Sequence, residues 1–482
     1  MKPLNIDAVR SALADHGQDH VLQFWEQLKP KDQETLFDQV SSIDFALMDR
    51  LVREWVLSEP PAEHFDHITP VPTIPIVEPS RADCRQALAA GEEALRAGKV
   101  GLLLVAGGQG TRLGFPGPKG AYPIGPITKR SIFAYHADKI RYAQRRYGCT
   151  LPWYIMVSDA NQHETRLFFK ANNYFGLREK DITFFTQRMV PCVDSSGKFL
   201  LESPGSLAMN PNGHGGTIPA LVENGIIEDA RSRGVEMLSY FQVDNWAVKV
   251  ADPYFIGYHA LRGAEVSSKI HRKVAARESV GVHCVCDGVY RTIEYSELDI
   301  YPQLLELDSQ ENLIHFAGNP AIHIYGVDFL QRVFDTFDTF PWHRAFKKIP
   351  YVDTSGRTVQ PSEPNGYKFE TFIFDSLQFC GKEPVYLEIA AAGEYTPIKS
   401  YEGDNSVVSA WQSMSNYWGA WFDAAGVPLP RDGKGNVTVP LEINPEYAYY
   451  KEEFVSKVNG SQIPSGCGIA IAANGSIQAQ TA

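Results

Sequence analysis

Glycines and two cations crowd into one short segment, LLLVAGGQGTRLGFPGPKG, at residues 102–120. An apolar run leads into the first glycines, and Arg112 and Lys119 follow them. Glycine lets backbone N–H groups approach an anion closely, because a Cβ would obstruct that approach. Arginine offers a planar fork of donors and lysine a point charge, and both neutralise phosphate. The segment therefore predicts a polyphosphate site; the alternative is a tight turn from a strand into a helix.

The spacing of these residues excludes two common nucleotide-binding motifs. Gly108, Gly110 and Gly114 give GxGxxxG, which differs from the GxGxxG of dinucleotide-binding proteins. Lys119 is followed by glycine, whereas the P-loop of NTPases has Ser or Thr after its lysine to hold magnesium. The sequence therefore favours neither a dehydrogenase nor a P-loop NTPase.

A carboxylate ends a second apolar run, MLSYFQVDN, in which Asp244 follows the last apolar residue. In open α/β sheets, ligands bind beyond the carboxyl ends of the parallel strands. We therefore expect Asp244 to lie at a ligand site; the alternative is a cap on the turn that follows.

The composition sets the conditions for such a site. The chain has 482 residues, with 45 Lys and Arg against 57 Asp and Glu, and a net charge of -12. An acidic chain has no general attraction for nucleic acid or anionic membrane, so any phosphate must be held by local, directed groups. Hydrophobic residues make up 44%, which is enough for a large core and excludes global disorder.

The cysteines and apolar runs predict the compartment. The seven cysteines are scattered, form no CxxC and are odd in number, so a zinc ribbon or a disulfide framework is not expected. No apolar run approaches the ~18 residues of a membrane span, and the start does not read as a secretory signal. We expect a reduced, soluble, cytoplasmic protein.

The order of the elements predicts an α/β fold. Short apolar runs alternate with helical stretches up to about residue 400, which indicates a mostly parallel sheet flanked by helices. The first ~57 residues, including HVLQFWEQL, are predicted to be helical, and a Pro-rich extended linker follows them. The last ~75 residues alternate as strands do. The predicted division is a helical region with linker at 1–78, a catalytic domain at 79–405 and a small β-containing domain at 406–482.

The segment VAGGQGTRLGFPGPKG resembles the signature of uridylyl-transferring sugar nucleotide pyrophosphorylases. Further blocks lie in the order of the UDP-N-acetylhexosamine pyrophosphorylase branch of that family: HVLQFWEQL, NGHGGTIPAL, VDNWAVKVADP, VGVHCVCDGVYRTIEYSEL, GNPAIH, GYKFETFIFD and YTPIKS. They span roughly residues 20 to 400. The resemblance implies a Rossmann-like nucleotidyltransferase with a helical N-terminal region and a small C-terminal domain.

The reaction implied by the resemblance joins UTP and a sugar 1-phosphate to give UDP-sugar and pyrophosphate. A phosphate monoester has a second pKa of about 6, so the sugar phosphate is mostly dianionic at neutral pH and is itself the nucleophile. Neither a general base nor a covalent enzyme intermediate is then required. Catalysis reduces to in-line positioning and to neutralising charge on the phosphates.

The resemblance also assigns residues to roles. The catalytic cations are Arg112, Lys119 and Lys399, the last near the sugar-linked phosphate. The nucleotide contacts are Ala106, Gly107, Gly108, Gln187, Gly213 and His214. The sugar contacts are Gly281, Glu294, Asn319, Phe369 and Phe372. Asp244 matches the family's VDN and is expected to hold Mg²⁺, the expected cofactor.

Two departures from the acetylhexosamine pattern bear on the acceptor sugar. His214 stands in NGHGG where that branch usually has Asn, and a histidine there is similar to the UDP-glucose branch. Pro320 and Ile322 differ within GNPAIH, near the expected sugar pocket. Conversely, Gln109 and the VGVHC block favour the N-acetylhexosamine branch, with N-acetylglucosamine 1-phosphate as the expected acceptor and its galactosamine epimer also open. Glucose 1-phosphate, or a broad range of sugar 1-phosphates, therefore stays as the alternative acceptor.

A further alternative is a non-catalytic, nucleotide-sugar-binding regulatory protein. The set Arg112, Lys119, Asp244 and Lys399 is intact, whereas a degenerate relative would have lost at least one of these residues. We therefore predict an enzyme whose partners are UTP and a sugar 1-phosphate, with no nucleic acid or membrane partner. The sequence leaves open whether it is a monomer or a homodimer.

Overall fold

A computed structural model describes residues 5–59, 63–458, 463–464 and 466–480. Its α-helices are α1 (Ile6–Asp15), α2 (Pro30–Ser41), α3 (Phe45–Trp55), α4 (Ala82–Arg96), α5 (Ile132–Tyr147), α6 (Gln162–Ala171), α7 (Thr217–Glu223), α8 (Ile226–Ser232), α9 (Pro253–Arg262), α10 (Val327–Asp335), α11 (Ala391–Glu394), α12 (Val407–Ala424) and α13 (Lys451–Val458).

The β-strands are β1 (Ile68–Pro70), β2 (Val100–Val105), β3 (Trp153–Val157), β4 (Ile182–Thr186), β5 (Met189–Pro191), β6 (Val193–Asp194), β7 (Leu201–Ser203), β8 (Ser206–Leu207), β9 (Met209–Pro211), β10 (Met237–Gln242), β11 (Val266–Arg272), β12 (Val282–Cys286), β13 (Val289–Ile293), β14 (Ala317–Gly318), β15 (His323–Gly326), β16 (His343–Lys347), β17 (Tyr351–Val352), β18 (Thr358–Val359), β19 (Gly366–Glu370), β20 (Val385–Ile389), β21 (Leu441–Ile443), β22 (Gly468–Ile471) and β23 (Ile477–Gln480).

The main sheet is built on four parallel strands in the order β4, β3, β2 and β10. Their apolar runs are continuous because both faces of the sheet are covered, and the residues of β3 are all buried. On the other side of β10 the sheet continues through β15, β11, β14 and β12 with antiparallel pairings. β20 adds a second parallel pairing with β11.

Neighbouring parallel strands end together, and the predicted site residues follow this edge of the sheet. Val105 at the end of β2 pairs with Met156 of β3 and with Gln242 of β10. The glycine-rich segment and Asp244 directly follow these ends. The fold thus brings together two motifs that lie about 130 residues apart in the sequence.

The chain forms two compact units. The first unit comprises Met1–Phe65, Gln187–Ala220 and Thr336–Ser376, and the second comprises Asp66–Thr186, Leu221–Asp335 and Leu377–Ala482. Each has its own hydrophobic core: α1, α2 and α3 contribute to the core of the first unit. The core of the second unit extends from the main sheet to α12, β21 and β22. The three-part division at residues 78 and 405 stays a prediction.

Two local expectations need correction. HVLQFWEQL forms two short 3-10 turns, Asp19–Leu22 and Trp25–Gln27, and not an α-helix. Lys29 is extended because it precedes Pro30, and proline disfavours the helical conformation in the residue before it. The predicted linker contributes β1, an edge strand that pairs with β12. Pro70 is tolerated there because an edge strand leaves one side of its backbone unpaired.

Among the described residues, no helix combines the length and the apolar character needed to cross a membrane.

Candidate active site

The glycine-rich segment is held to the main sheet by the loop that follows β3. Asn161 is fully buried there, and its Nδ2 donates to the carbonyl oxygen of Ala106 at 2.9 Å. Its Oδ1 accepts from the N–H of Ser158 at 3.0 Å, and the hydroxyl of Ser158 donates to the carbonyl of Gly107 at 2.9 Å. The carbonyl groups at the start of the segment are therefore turned toward the protein.

The N–H groups of Gly107 and Gly108, unlike these carbonyl groups, are not hydrogen-bonded to the described part of the protein. A Cβ at Gly107 would lie 3.5 Å from Cβ of Ser158, and a Cβ at Gly108 would lie 4.0 Å from Cδ of Lys119, which are ordinary contacts. Packing within the protein therefore does not require glycine at either position. Unpaired amides without side chains suit a bound anion.

Lys119 and Asp244 meet at this edge of the sheet. The N–H of Lys119 donates to the carbonyl of Gly108 at 3.1 Å, which places the lysine across the segment from the free amides. Its Nζ lies 3.4 Å from Oδ2 of Asp244, and the two side chains are only 16% and 17% exposed. Arg112 is exposed on the turn Thr111–Leu113 and forms no ion pair with a described residue. One cation is thus matched by a carboxylate, and the other is open to a ligand.

Lys399 reaches the same edge through a ladder of hydrogen bonds around Asn245. The buried side chain of Asn245 donates to the carbonyl of Glu394 at 2.7 Å and accepts from the N–H of Thr396 at 3.0 Å. The N–H of Ile398 donates to the carbonyl of Asp244 at 3.0 Å. Lys399 follows directly, and its side chain is exposed. Asp244, the predicted metal ligand, and Lys399, the predicted contact of the sugar-linked phosphate, therefore lie on two adjoining segments.

Three predicted sugar contacts of the second unit also lie together. The N–H of Asn319 donates to the carbonyl of Gly281 at 2.9 Å. A Cβ at Gly281 would lie only 2.8 Å from Oε1 of Glu294, so the glycine leaves room for that carboxylate. Oδ1 of Asn319 accepts from the N–H of Ala321, which fixes the orientation of the amide. A carboxylate and an amide beside each other suit the hydroxyl groups of a sugar.

In the first unit, Gln187 and Gly213 are hydrogen-bonded neighbours. Nε2 of Gln187 donates to Oδ1 of Asn212 at 3.3 Å and to the carbonyl of Gly213 at 3.2 Å, which leaves its Oε1 to accept. Gly213 has φ of +82°, and a Cβ there would lie 2.3 Å from the carbonyl oxygen of Thr371. Only glycine fits this position. The nucleotide contact of both residues stays a prediction.

His214 forms an aromatic stack in the first unit. Its ring lies 5.2 Å from that of Phe372, which lies 4.3 Å from the ring of His343. The N–H of Ile373 donates to Nδ1 of His214 at 3.0 Å, so a neutral ring bears its proton on Nε2. Burial, and then the nearby His343, lower the pKa of His214 to about 4. His214 is therefore a neutral donor near pH 7.

The two predicted aromatic sugar contacts differ in their surroundings. Phe372 is half-buried within the stack, whereas Phe369 is 0% exposed and belongs to the hydrophobic core of the first unit. A side chain without exposed surface has a packing role. The placement of Phe369 does not support the sugar contact predicted for it.

Sequence reasoning missed the two asparagines that hold the site together. Asn161 follows the carboxyl end of β3 and Asn245 follows Asp244, and both are almost fully buried. A polar residue just after a buried parallel strand is the signal that points to such a position. Their hydrogen bonds fix the backbone around Gly107 and Asp244.

Comparison with known proteins places this chain in a family. Residues 51–418 match the family described as UTP--glucose-1-phosphate uridylyltransferase. The chain belongs to this family. UDP-N-acetylhexosamine pyrophosphorylase-like protein 1 of Xenopus tropicalis is 34% identical over 95% of this chain and 94% of its own. UDP-N-acetylglucosamine pyrophosphorylase of Saccharomyces cerevisiae is also 34% identical, over 92% of this chain and 96% of its own.

A solved structure supports the same fold. The uridine diphosphate N-acetylglucosamine pyrophosphorylase of Trypanosoma brucei has a TM-score of 0.79 with this chain at 24% identity, covering 95% of this chain and 97% of its own. The predicted α/β nucleotidyltransferase fold is confirmed, as is the enzyme class, a UTP:sugar-1-phosphate uridylyltransferase. The roles assigned to individual residues of this chain stay predictions.

Proposed function

We propose that this uridylyltransferase transfers the uridylyl group of UTP to N-acetylglucosamine 1-phosphate and releases pyrophosphate. The observation that carries the proposal is the meeting of three segments at one edge of the main sheet. The glycine-rich segment offers free amides, Asp244 pairs with Lys119, and hydrogen bonds to Asp244 and Asn245 hold the segment that bears Lys399. This collects the positive groups that a triphosphate needs on a chain with a net charge of -12.

The proposed step is an in-line displacement at the α-phosphorus of UTP. An oxygen of the sugar phosphate forms the new bond, and the bond from the α-phosphorus to the bridging oxygen of the leaving pyrophosphate breaks. Arg112 and Lys119 neutralise the polyphosphate, and Lys399 neutralises the sugar-linked phosphate. Orientation and charge compensation then supply the rate enhancement, with no proton to be removed from the nucleophile.

Asp244 is the proposed ligand of Mg²⁺. Among the described residues, no group of three or more His, Cys, Asp or Glu side chains could hold a metal by itself. One largely buried carboxylate next to the predicted polyphosphate site nevertheless fits Mg²⁺, which is commonly held by one or two carboxylates with water and substrate phosphates. When bound, the ion would supply a Lewis acid that offsets charge on the phosphate oxygens. The carboxylate of Asp244 would bind it and orient the nucleotide.

The acetamido sugar is supported by the relatives. Those of Xenopus tropicalis and Saccharomyces cerevisiae bear the names of N-acetylhexosamine and N-acetylglucosamine pyrophosphorylases. The family description names glucose 1-phosphate, which therefore remains the second candidate acceptor. His214 in place of the usual Asn is the specific feature that favours the second candidate.

Initial rates of pyrophosphate release test the proposal. With UTP and Mg²⁺ fixed, N-acetylglucosamine 1-phosphate, N-acetylgalactosamine 1-phosphate and glucose 1-phosphate are compared at several concentrations. We expect the highest kcat/KM with N-acetylglucosamine 1-phosphate and no release after chelation of the divalent cation. A preference for glucose would overturn the acceptor alone, and no release with any sugar would overturn the transfer reaction.

The remaining expectations are compatible with this activity. The seven cysteines are free, which suits the cytoplasmic location predicted from their scattered positions. The choice between monomer and homodimer stays open.

A further inference from the structure

Tyr395 begins the segment that bears Lys399, and its backbone is fixed at the active-site edge. Its N–H donates to the carbonyl of Ala391 at 2.9 Å. The next N–H, that of Thr396, donates to the side chain of Asn245 at 3.0 Å. The backbone at Tyr395 is therefore fixed beside Asn245, the neighbour of Asp244. The side chain of Tyr395 is half-buried.

The ring of Tyr395 is held by stacking on His271. The two ring centroids are 5.0 Å apart and the planes are inclined by 25°. His271 is itself buried, and its Nε2 lies 2.9 Å from Oε1 of Glu278. A Cβ at Gly318 would lie 2.8 Å from Cε1 of His271, so the imidazole lies directly against β14. β14 leads into Asn319, and the phenol therefore lies on the side of the sugar contacts.

The hydroxyl of Tyr395 forms no hydrogen bond with a residue that the structure describes. Burial, and then the nearby carboxylates of Asp244, Glu278 and Glu294, raise the pKa of Tyr395 well above its ordinary value. Asp244 belongs to the predicted metal site and Glu294 to the predicted sugar contacts. The phenol thus lies within electrostatic reach of both, as a neutral donor that has no partner of its own among them.

We propose that Tyr395 is a substrate-contacting residue whose hydroxyl donates a hydrogen bond to the sugar 1-phosphate. The inference rests on the proposed function, because it places this substrate between Lys399 and Glu294. A dianionic phosphate beside three carboxylates is repelled unless donors compensate its charge. A protonated phenol supplies such a donor and carries no charge. A positively charged donor, by contrast, would form an ion pair with the carboxylates.

The substitution Tyr395→Phe tests the proposal, because it removes the hydroxyl and keeps the ring on His271. Hydrogen bonds to charged groups are worth about 1.5–3 kcal/mol, so we expect the KM for the sugar 1-phosphate to rise by about tenfold or more. The KM for UTP should stay within about twofold. Tyr254→Phe is the matched control, since Tyr254 is also half-buried and its hydroxyl bonds to no described residue.

Two results would overturn the proposal. One is an unchanged KM for the sugar 1-phosphate in Tyr395→Phe, and the other is an equal rise of both KM values, which a general distortion would cause. Thermal unfolding of both variants checks that they are folded.

Activity of the wild type tests the proposed function independently of the role of Tyr395. If the wild type turns over no sugar 1-phosphate, calorimetric titration with UDP-N-acetylglucosamine replaces the kinetic readout. We then expect weaker binding by Tyr395→Phe than by the wild type, and equal affinities would overturn the role of Tyr395.

Discussion

At the scale of single residues, the two cations of the glycine-rich segment differ in what they face. Lys119 is largely buried beside Asp244, whereas Arg112 is exposed. A largely buried ammonium acts in a lower dielectric than an exposed guanidinium does, so its charge should have the greater effect on a bound phosphate. Lys119 is therefore the residue on which catalysis should depend most.

The substitution Lys119→Ala should reduce kcat/KM by about 30-fold to 1,000-fold, because loss of a transition-state charge partner costs on the order of 2–4 kcal/mol. Arg112→Ala should cost less. Initial rates of pyrophosphate release across UTP concentrations measure both, with Lys170→Ala, an exposed lysine of α6, as the control. Near-normal activity of Lys119→Ala would refute the assigned role.

The sequence predicted which charged residues lie together at this edge of the sheet, but not which residues orient them, and the roles of the charged residues stay predictions. Lys119 and Asp244 stand in recognisable motifs, and the structure brings them within 3.4 Å. Asn161 and Asn245 act through backbone groups that become neighbours only after folding, so no local pattern reveals their partners. Phe369 shows the opposite difficulty, since an aromatic residue in a family block serves the core.

At the scale of elements, Glu394 anchors the segment that bears Lys399. Glu394 ends α11 and is buried between two ammonium groups. Lys249 lies 2.9 Å from its Oε1, and the fully buried Lys269 of β11 bonds to its Oε2. Lys269 also lies 2.6 Å from Asp252, the N-cap of α9. The side chain of Glu394 thus connects β11 and α9 to the segment whose backbone pairs with Asn245.

The substitution Glu394→Gln should lower both stability and kcat. Removing one partner of a buried ion pair costs about 3–5 kcal/mol, because the remaining charges stay buried without compensation. Burial would raise the pKa of Glu394, but Lys249 and Lys269 outweigh burial and lower it below its ordinary value of 4.5. A carboxylate whose pKa is lowered by folding stabilises the fold at pH values above its ordinary pKa of 4.5. This contribution to stability is lost as the pH falls. The stability difference between wild type and Glu394→Gln should therefore shrink below about pH 5.

Asp138→Asn is the matched control for this prediction. Asp138 is a buried carboxylate of α5, paired with Arg130 and Arg141. Burial outweighs the two arginines there and raises the pKa of Asp138 to about 6. The free energy of unfolding of the wild type, minus that of Asp138→Asn, should consequently grow as the pH falls from 7 to 4. The variant should retain its kcat. Chemical denaturation across pH measures both, and equal kcat losses in the two variants would contradict the role of Glu394.

The elements themselves were predictable where the sequence pattern is continuous. The apolar runs of β2, β3 and β10 are buried strands, as predicted from their composition. The pairing of β1 with β12 was not predictable, since it joins segments more than 200 residues apart. Edge strands are decided by such long-range partners and not by local preference.

At the scale of the whole molecule, the net charge of -12 opposes the approach of UTP, whereas the proposed site should attract it locally. The Debye length is about 30 Å at 0.01 M salt and about 10 Å at 0.1 M. Added salt therefore screens the distant carboxylates before it screens cations within a few ångströms of the phosphates.

We expect kcat/KM for UTP to rise about twofold between 10 and 100 mM ionic strength at fixed free Mg²⁺. Potassium chloride and tetramethylammonium chloride should give the same curve, because screening depends on ionic strength and not on the identity of the ion. A steep fall would mean that a broad positive surface, and not the site between the glycine-rich segment and Asp244, captures the nucleotide.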